Sequence, residues 1–222
     1  VVNRATLNVR TEALTGIPDA ESIAVALFDT DQFSDVVTVN RRANRVTIAA
    51  GLQGAWGERT EFAVQNTPVD VDVGDFNADG SPDIVVANLD SGTVSVLLNT
   101  ATAPGLFSFT AATNFACGAT PNSVHVADVN RDTVPDVIVT NGAANTVSIL
   151  INTTANAAQT PSFAAAVTLA ANNARDVVAA DLNQNNALDL VTLNPVDGEA
   201  TIFMNLTTGT TLGQAATFSA SS

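Results

Sequence analysis

Residues 73–88 read VGDFNADGSPDIVVAN, in which an aspartate-rich loop lies between two apolar segments. Val71 and Val73 alternate with polar residues before the loop, which is typical of a half-buried strand, and the apolar run after the loop predicts a second strand. A turn and the β-branched stretch 93–98 follow, and residues 107–115 supply a fourth candidate strand. This stretch therefore predicts four short antiparallel strands joined by tight turns.

The same unit occurs four times along the 222 residues. The leading aspartates are 46, 53 and 53 residues apart, and the trailing aspartates of the last three units repeat the interval of 53. A fixed period of this length, with four strands in each unit, indicates a β-propeller. We therefore predict an all-β chain that forms a β-propeller of four-stranded antiparallel blades. The repeats lie at approximately 22–69, 70–122, 123–175 and 176–222.

The ends of the chain leave two interpretations of this propeller open. Residues 1–21 are expected to supply an extra outer strand, and the last unit ends early in its fourth strand. The N-terminal strand could complete the last blade and close a ring of four. Alternatively, the chain could be a window within a longer array of blades.

The loop at 75–83 has the residue types of a calcium-binding loop. Oxygen-bearing side chains stand at its positions 1, 3, 5 and 9, and the alternation at 1, 3 and 5 turns three of them toward one point. Gly80 at position 6 permits the positive φ that such a tight turn requires. Since Ca²⁺ takes about six to eight hard oxygen ligands, this loop predicts a calcium site. Its side-chain ligands would be Asp75, Asn77, Asp79 and Asp83.

Two further loops keep this pattern, and another keeps part of it. The ligands predicted for the third unit are Asp128, Asn130, Asp132 and Asp136. Those predicted for the fourth unit are Asp181, Asn183, Asn185 and Asp189. Two of the four ligands in the fourth unit are neutral, so we expect weaker binding there. The first unit offers Asp29, Asp31 and Asp35 in a loop that, aligned at Asp29, is two residues shorter, so we expect a degenerate site.

An alternative for all four loops is a set of Asx turns with solvated acids. The charges argue against it, because eleven of the 22 acidic residues of the chain lie in the four loops. Carboxylates packed so closely repel each other unless a cation lies between them. Three calcium sites and a fourth, degenerate one are therefore expected.

These units resemble FG-GAP/VCBS repeats, the calcium-loop blades of integrin α-subunit propellers and of many secreted bacterial and fungal proteins. The resemblance covers residues from about 22 to 222 and is strongest in the last three units. It implies a further ligand at position 7 of each loop, a backbone carbonyl, which here belongs to Ser81, Val134 or Ala187. It also implies a ring that usually has seven blades, of which this chain supplies four.

The composition excludes several other functions. All eight basic residues are Arg, and the net charge of −14 leaves no basic patch for nucleic acid or for an anionic membrane surface. No apolar run approaches the roughly 20 residues of a membrane span. We interpret the single cysteine, Cys117, as a buried thiol and the single histidine, His125, as a structural residue. No nucleophile–base pair stands out, so we expect no enzymatic activity.

We expect an extracellular protein, secreted or at a cell surface, that acts as a calcium-stabilised adhesion or recognition module for a protein or glycan ligand. Two alternatives stay open. One is a structural protein that self-assembles as a homo-oligomer at a surface or in a fibre, and the other is a lectin propeller, against which the scarcity of aromatic residues argues mildly. Because variable loops on a stiff scaffold usually carry binding, we expect the partner on the face opposite the calcium loops. The expected charged contacts are Arg41, Arg42 and Arg45, and glycosylation sequons begin at Asn152 and Asn205.

Overall fold

The computed structural model describes residues 17, 19–53, 55–196, 198–207 and 218–221, the last range for its backbone alone. All regular structure in these ranges is β, in four antiparallel sheets of four strands each. The first sheet contains β1 (Ala20–Ala26), β2 (Asp35–Asn40), β3 (Arg45–Leu52) and β4 (Ala55–Ala63). The second contains β5 (Pro68–Gly74), β6 (Asp83–Asn88), β7 (Thr93–Leu97) and β8 (Thr113–Ala116).

The other two sheets repeat the order of the first two, with each strand next to the one that follows it in sequence. The third sheet contains β9 (Pro121–Ala127), β10 (Asp136–Asn141), β11 (Thr146–Leu150) and β12 (Val167–Ala170). The fourth contains β13 (Asp176–Ala180), β14 (Asp189–Asn194), β15 (Glu199–Asn205) and β16 (Phe218–Ser221). The all-β class and the four-stranded antiparallel units are therefore confirmed.

Of the predicted strands, one lies almost entirely outside the described residues and another is shorter in the structure than predicted. The outer strand predicted for residues 1–21 lies almost entirely outside the described residues, and its last two residues already belong to β1. The strand predicted at 107–115 is shorter, since β8 begins at Thr113. Before it, Phe109 makes only an isolated bridge to Asn99, and its ring packs into the core instead.

The second strand of each of the first three sheets is buried along its whole length. Every residue of β2, β6 and β10 is buried, and each of these strands has a neighbouring strand on either side. Described sheets cover both faces of β6 and β10 and one face of β2. The short outer strands β8 and β12 alternate between half-buried and exposed side chains, as expected for strands that pack on one face only.

The sheets pack face to face in series through three apolar cores. The first core joins the first and second sheets and includes Phe28 and Ile84. The second joins the second and third sheets and includes Phe76, and the third joins the third and fourth sheets and includes Ile138. Among the described residues no such core joins the fourth sheet to the first, so the described part of the chain forms an open series and not a closed ring of four.

The two ends of this series carry almost all of the exposed large apolar side chains. Among the described residues, eleven such side chains are exposed, and ten of them belong to the first or the fourth sheet and its loops. In the first sheet they are Ile23, Val25, Leu27, Phe33 and Leu52, and in the fourth they are Val178, Leu182, Leu193, Val196 and Leu206. The inner sheets bury the corresponding surface against their neighbours. No helix in the described ranges has the length and apolarity that crossing a membrane requires.

Candidate metal centre

The second loop (75–83) joins β5 to β6 and is folded by its own acidic side chains. The Asp75 carboxylate accepts the N–H of Asp79 at 3.1 Å and the N–H of Gly80 at 2.8 Å. The Asp79 carboxylate in turn accepts the N–H of Ser81 at 2.9 Å. Gly80 has a φ of 90°, the left-handed region that the sequence predicted for position 6. The side chains at positions 1 and 5 are therefore turned into the loop.

Asp83, at position 9, is fully buried at the start of β6. Its Oδ1 accepts the N–H of Asn99 at 2.7 Å, and its Oδ2 accepts the N–H of Phe76 at 2.8 Å. The pKa of Asp83 is raised to about 7, chiefly by burial and also by the charges of Asp79 and Asp75, against the lowering effect of these two hydrogen bonds. The charges of Asp75 and Asp79 therefore disfavour the negative charge of the buried Asp83, a repulsion that a bound cation would relieve.

The third loop (128–136) reproduces these contacts. The Asp128 carboxylate accepts the N–H groups of Asp132 at 3.1 Å and of Thr133 at 2.8 Å. Asp136 is fully buried, and burial raises its pKa to about 7, with the charges of Asp132 and Asp128 acting in the same direction. Thr133 adopts a φ of 76° at position 6, although a β-branched residue rarely does so. The loop conformation is thus kept where the sequence has lost its glycine.

The fourth loop (181–189) has the same backbone with fewer charges. The Asp181 carboxylate accepts the N–H groups of Asn185 at 3.1 Å and of Asn186 at 2.9 Å, and Asn186 has a φ of 63°. Asp189 is fully buried and accepts the N–H of Leu182 at 3.0 Å. Position 5 is the neutral Asn185, whose Oδ1 accepts the N–H of Ala187 at 2.8 Å.

The first loop has the same length as the others, so the predicted two-residue deletion is wrong. Ala26 pairs with Asp35 as Gly74 pairs with Asp83, and this register defines the loop as 27–35. Asp29 and Asp31 then occupy positions 3 and 5, and position 1 is Leu27. The hydrogen bonds agree, since Asp31 N–H donates to Asp29 Oδ1 at 2.7 Å as Asp79 N–H donates to Asn77 Oδ1 at 3.3 Å. The first loop therefore has the full nine residues, but its position 1 carries no oxygen ligand.

The residue types of these loops fit Ca²⁺, although the carboxylates are not gathered into a preformed cage. Among the described residues, no group of three or more Asp, Glu, His or Cys side chains is placed to hold a metal ion. At position 5 a carboxylate oxygen is instead bonded by the amide of position 3: Asn77 Nδ2 donates to Asp79 Oδ2 at 2.9 Å, and Asn130 Nδ2 donates to Asp132 Oδ2 at 2.7 Å. The hard oxygens of carboxylate, amide and backbone carbonyl are those that Ca²⁺ prefers.

A second recurring residue was missed by the sequence analysis. An asparagine follows the third strand of the second and third sheets and ends that of the fourth, again at intervals of 53 residues; we call Asn99, Asn152 and Asn205 the bridging asparagines. The backbone N–H of each donates to the position 9 aspartate of its own loop at 2.7–2.8 Å. The constant interval was the signal that could have identified them.

Each bridging asparagine also connects two neighbouring sheets. The Nδ2 of Asn152 donates to the carbonyl of Pro135 in its own loop at 3.0 Å and to the carbonyl of Phe76 in the preceding sheet at 2.9 Å. Asn99 and Asn205 make the same pair of bonds. Both sequon asparagines are fully buried with their amides engaged, so in the folded chain neither is accessible to a glycosylating enzyme.

The loops contact the connection between the third and fourth strands of the next sheet. The N–H of Ala157 donates to the carbonyl of Asn77 at 2.7 Å, and the N–H of Gly105 donates to Asp29 at 2.6 Å. The turns between second and third strands lie at the other edge, where Leu89 N–H donates to the Thr67 carbonyl at 2.9 Å. The aspartate-rich loops and the turns between second and third strands therefore lie on opposite faces of the series of sheets, as the alternation of strand direction predicts.

The three arginines predicted to bind a partner lie on this opposite face, and each is near an acid in the first sheet or at the residue that precedes it. The distances are 2.8 Å for Arg41–Glu21, 3.6 Å for Arg42–Asp19 and 3.7 Å for Arg45–Glu61. Arg41 and Arg42 also line an open polar cleft of about 790 Å³ between the first and second sheets. The side chain of Arg42 is 83% exposed, which makes it the most available cation of the three.

His125 and Cys117 occupy structural positions. His125 Nδ1 lies 3.4 Å from Asp72, whose carboxylate also accepts the N–H of Val126 at 2.9 Å and so links β5 to β9. Cys117 is buried in the core between the second and third sheets, and burial raises the pKa of its thiol to about 12.

Comparisons with solved structures give distant similarities. Hydrazine synthase from Kuenenia stuttgartiensis is 13% identical with a TM-score of 0.50, over 90% of this chain and 59% of that one. A Photorhabdus luminescens Tc holotoxin pore is 18% identical with a TM-score of 0.42, over 75% of this chain and 8% of that one. The chain thus spans about three fifths of the first and a small part of the second. The first similarity concerns the fold alone, and no curated protein matches the sequence.

The family comparison is decisive for the repeat. The model of the FG-GAP-like repeat matches residues 28–86 and again residues 75–139, together half of the chain. These ranges contain the second and third loops and the first loop from its position 2, and in all three the N–H of position 5 donates to the side chain of position 3. The resemblance seen in the sequence is confirmed, and the chain belongs to the FG-GAP-like repeat family.

Proposed function

We propose that the chain forms blades of a β-propeller whose loops bind Ca²⁺, and that it acts as a non-catalytic recognition or adhesion module at an extracellular surface. The observation that carries the calcium proposal is the buried aspartate at position 9, whose negative charge is disfavoured by the carboxylates of positions 1 and 5 in the second and third loops. The propeller proposal is supported by four sheets packed in series with their first strands side by side.

Ca²⁺ would be held by the side chains at positions 1, 3, 5 and 9 and by the backbone carbonyl at position 7. It would supply positive charge where the loop concentrates negative charge and would fix one edge of each sheet. The loops already have a folded backbone for such a site, because the Asp75 and Asp128 carboxylates accept N–H groups of their own loops. The complete second and third loops are the best sites, the fourth is weaker, and the first lacks position 1.

Replacing Asp79 by Ala is expected to weaken calcium binding more than replacing Asn185 by Ala. Both residues stand at position 5, but Asp79 adds a negative charge near the buried Asp83, whereas Asn185 is neutral. Calorimetric titration of both variants beside the unmodified chain measures the loss. Equal losses would show that charge at position 5 does not rank the loops.

The recognition surface that we propose is the face opposite the loops, around the polar cleft beside Arg41 and Arg42. The net charge of −14 repels acidic partners in general, so a local cluster of guanidinium groups can select where an acidic group docks. Arginine suits this because it presents a planar fork of donors to a carboxylate or sulfate. The partner class is therefore a protein or glycan with acidic groups.

The double variant Arg41→Glu, Arg42→Glu is expected to abolish binding to acidic glycans or proteins, with the largest effect at low salt, where charges are least screened. A glycan array with sulfated and carboxylated members, probed at two salt concentrations, provides the measurement. Arg59→Glu on β4, which does not line the cleft, is the matched control. If the control loses binding equally, the cleft is not the recognition surface.

The apolar ends of the series favour self-assembly as a second candidate function. Leu193 on β14 is 51% exposed, at a position where the second sheet buries Ala87 against its neighbour. We expect concentration-dependent association in sedimentation velocity, and we expect Leu193→Asp to reduce it. Leu106→Asp is the control, because Leu106 is 55% exposed but belongs to an inner sheet. If the chain sediments as a monomer at all concentrations, self-assembly is not its function.

The fold similarity to hydrazine synthase does not bring catalysis into the proposal. The one histidine of the chain pairs with Asp72 in a cluster that links two strands. We therefore propose no reaction for this chain.

A further inference from the structure

We propose that the bridging asparagines couple neighbouring calcium loops, so that an ion bound in one loop strengthens binding in the next. This coupling rests on the proposed calcium binding and adds a positioning role for Asn99, Asn152 and Asn205. None of the three is a predicted ligand. Each lies between two loops and touches both.

The connection between the second and third loops passes through Asn152 without a gap. Asp83, the position 9 ligand of the second loop, holds the N–H of Phe76. The carbonyl of Phe76 accepts a hydrogen from Asn152 Nδ2, and the N–H of Asn152 donates at 2.8 Å to Asp136, the position 9 ligand of the third loop. Two predicted ligands in different sheets are therefore joined by Phe76 and Asn152 alone.

Burial makes this connection stiff. Asp83, Phe76, Asn152 and Asp136 are all 0% exposed. Water cannot replace a hydrogen bond lost here, so a broken bond would leave a buried polar group unsatisfied. Both Nδ2 hydrogens of Asn152 are used, and its Oδ1 accepts the N–H of Thr154 at 2.8 Å, which fixes the orientation of the amide. A change in the second loop therefore has to be accommodated at Asp136.

The same connection occurs at each junction and is absent where no sheet precedes among the described residues. Asn99 joins the first and second loops, and Asn205 joins the third and fourth. In the first sheet the equivalent residue is Gly51, whose N–H donates to Asp35 at 2.9 Å. A Cβ at Gly51 would lie 2.1 Å from the carbonyl oxygen of Ser34, so this position has no room for an asparagine. An asparagine thus occurs at this position only where a described sheet precedes, and not at the end of every third strand.

A thermodynamic cycle tests the coupling. Calcium is titrated into the unmodified chain, Asp79→Ala, Asn152→Ala and the double variant, and the amide NMR signals of 128–136 report the affinity of the third loop. We expect Asp79→Ala to weaken calcium binding in the third loop by about fivefold or more, the usual lower range of coupling between sites. When Asn152 is already replaced by Ala, the further substitution Asp79→Ala is expected to leave the calcium affinity of the third loop unchanged.

Asn141→Ala is the matched control. Asn141 is also fully buried and also reaches the second sheet, through an Nδ2 bond of 3.0 Å to the carbonyl of Cys117, but it touches no calcium loop. It is expected to lower stability while leaving the dependence of the third loop on Asp79 intact. If Asn141→Ala abolishes that dependence as Asn152→Ala does, the coupling is a general effect of sheet packing and the proposal is overturned.

The remaining outcomes separate this inference from the proposed function. If the unmodified chain binds no calcium, both fall together. If it binds calcium but Asp79→Ala leaves the third loop unchanged, only the coupling falls. Should Asn152→Ala fail to fold, Asp79→Ala alone decides: the coupling requires a larger loss of affinity in the third loop than in the fourth, and equal losses overturn it.

Discussion

Saturating calcium is expected to raise the midpoint of thermal unfolding of this chain far above its value in excess chelator. The folded loops bind the ion and the unfolded chain does not, so each occupied loop adds about 2.7 kcal/mol when free calcium is about a hundredfold above its dissociation constant. For a domain of roughly this size, that corresponds to about 5–10 °C for each loop. The second and third loops, with three carboxylates each, should contribute most.

Scanning calorimetry or the β-sheet circular dichroism signal measures this shift. Magnesium is the ionic control, because it demands a small octahedral site and gives up its water reluctantly, so it should stabilise less. The double variant Asp79→Ala, Asp132→Ala is the protein control and should lose most of the shift. An identical midpoint in calcium and in chelator would contradict calcium binding by the loops.

The strand order and the loops could be predicted because the relevant forces are local. The valines of β5 alternate with polar residues and β6 is a continuous apolar run, as expected for buried strands. Gly80 marks one of the two residues of the second loop with a positive φ; the other, Ala78 at 52°, carries no such signal in the sequence. Acidic side chains at positions 1 and 5 then fold the loop by bonds to N–H groups four or five residues away. Each of these contacts lies within a short stretch of sequence, so the pattern of residue types was sufficient.

The first loop was misaligned because residue type and strand register disagree there. Matching Asp29 to Asp75 by type placed a deletion inside the loop. Strand pairing decides over this match, because the hydrogen-bonded register of β1 on β2 fixes how many residues lie in the loop between them. The pairing of Ala26 with Asp35 therefore decides the alignment and leaves Leu27 at position 1.

The bridging asparagines could not be recognised from local pattern. Asn152 and Phe76 are 76 residues apart, and their contact exists only because two sheets pack face to face. A single asparagine after a strand usually indicates a turn, and with Thr154 it formed a glycosylation motif. The repeat interval marked the position, but the chemistry depends on the neighbouring sheet.

Phe76→Ala is expected to destabilise the chain by about 3–5 kcal/mol, the usual effect of removing a fully buried phenylalanine. The ring of Phe76 is 0% exposed in the core between the second and third sheets, 5.9 Å from the ring of Phe163 in an edge-to-face arrangement. Denaturant unfolding followed by fluorescence or circular dichroism measures the loss. Cys117 lies in the same core, and because burial raises its pKa to about 12, its thiol should react with a disulfide reagent only when this core opens. The variant should therefore also label faster.

Leu182→Ala is the matched control for this prediction, since Leu182 occupies position 2 of the fourth loop as Phe76 does in the second. Its N–H makes the same bond to a position 9 aspartate, Asp189, but its side chain is 49% exposed because no described sheet covers it. The expected cost is no more than about 1 kcal/mol, in proportion to the smaller apolar area that it buries. The difference between the two variants measures what the packing of one sheet on the next contributes at this position. If both cost the same, the stability at position 2 comes from the loop itself and not from the core between sheets.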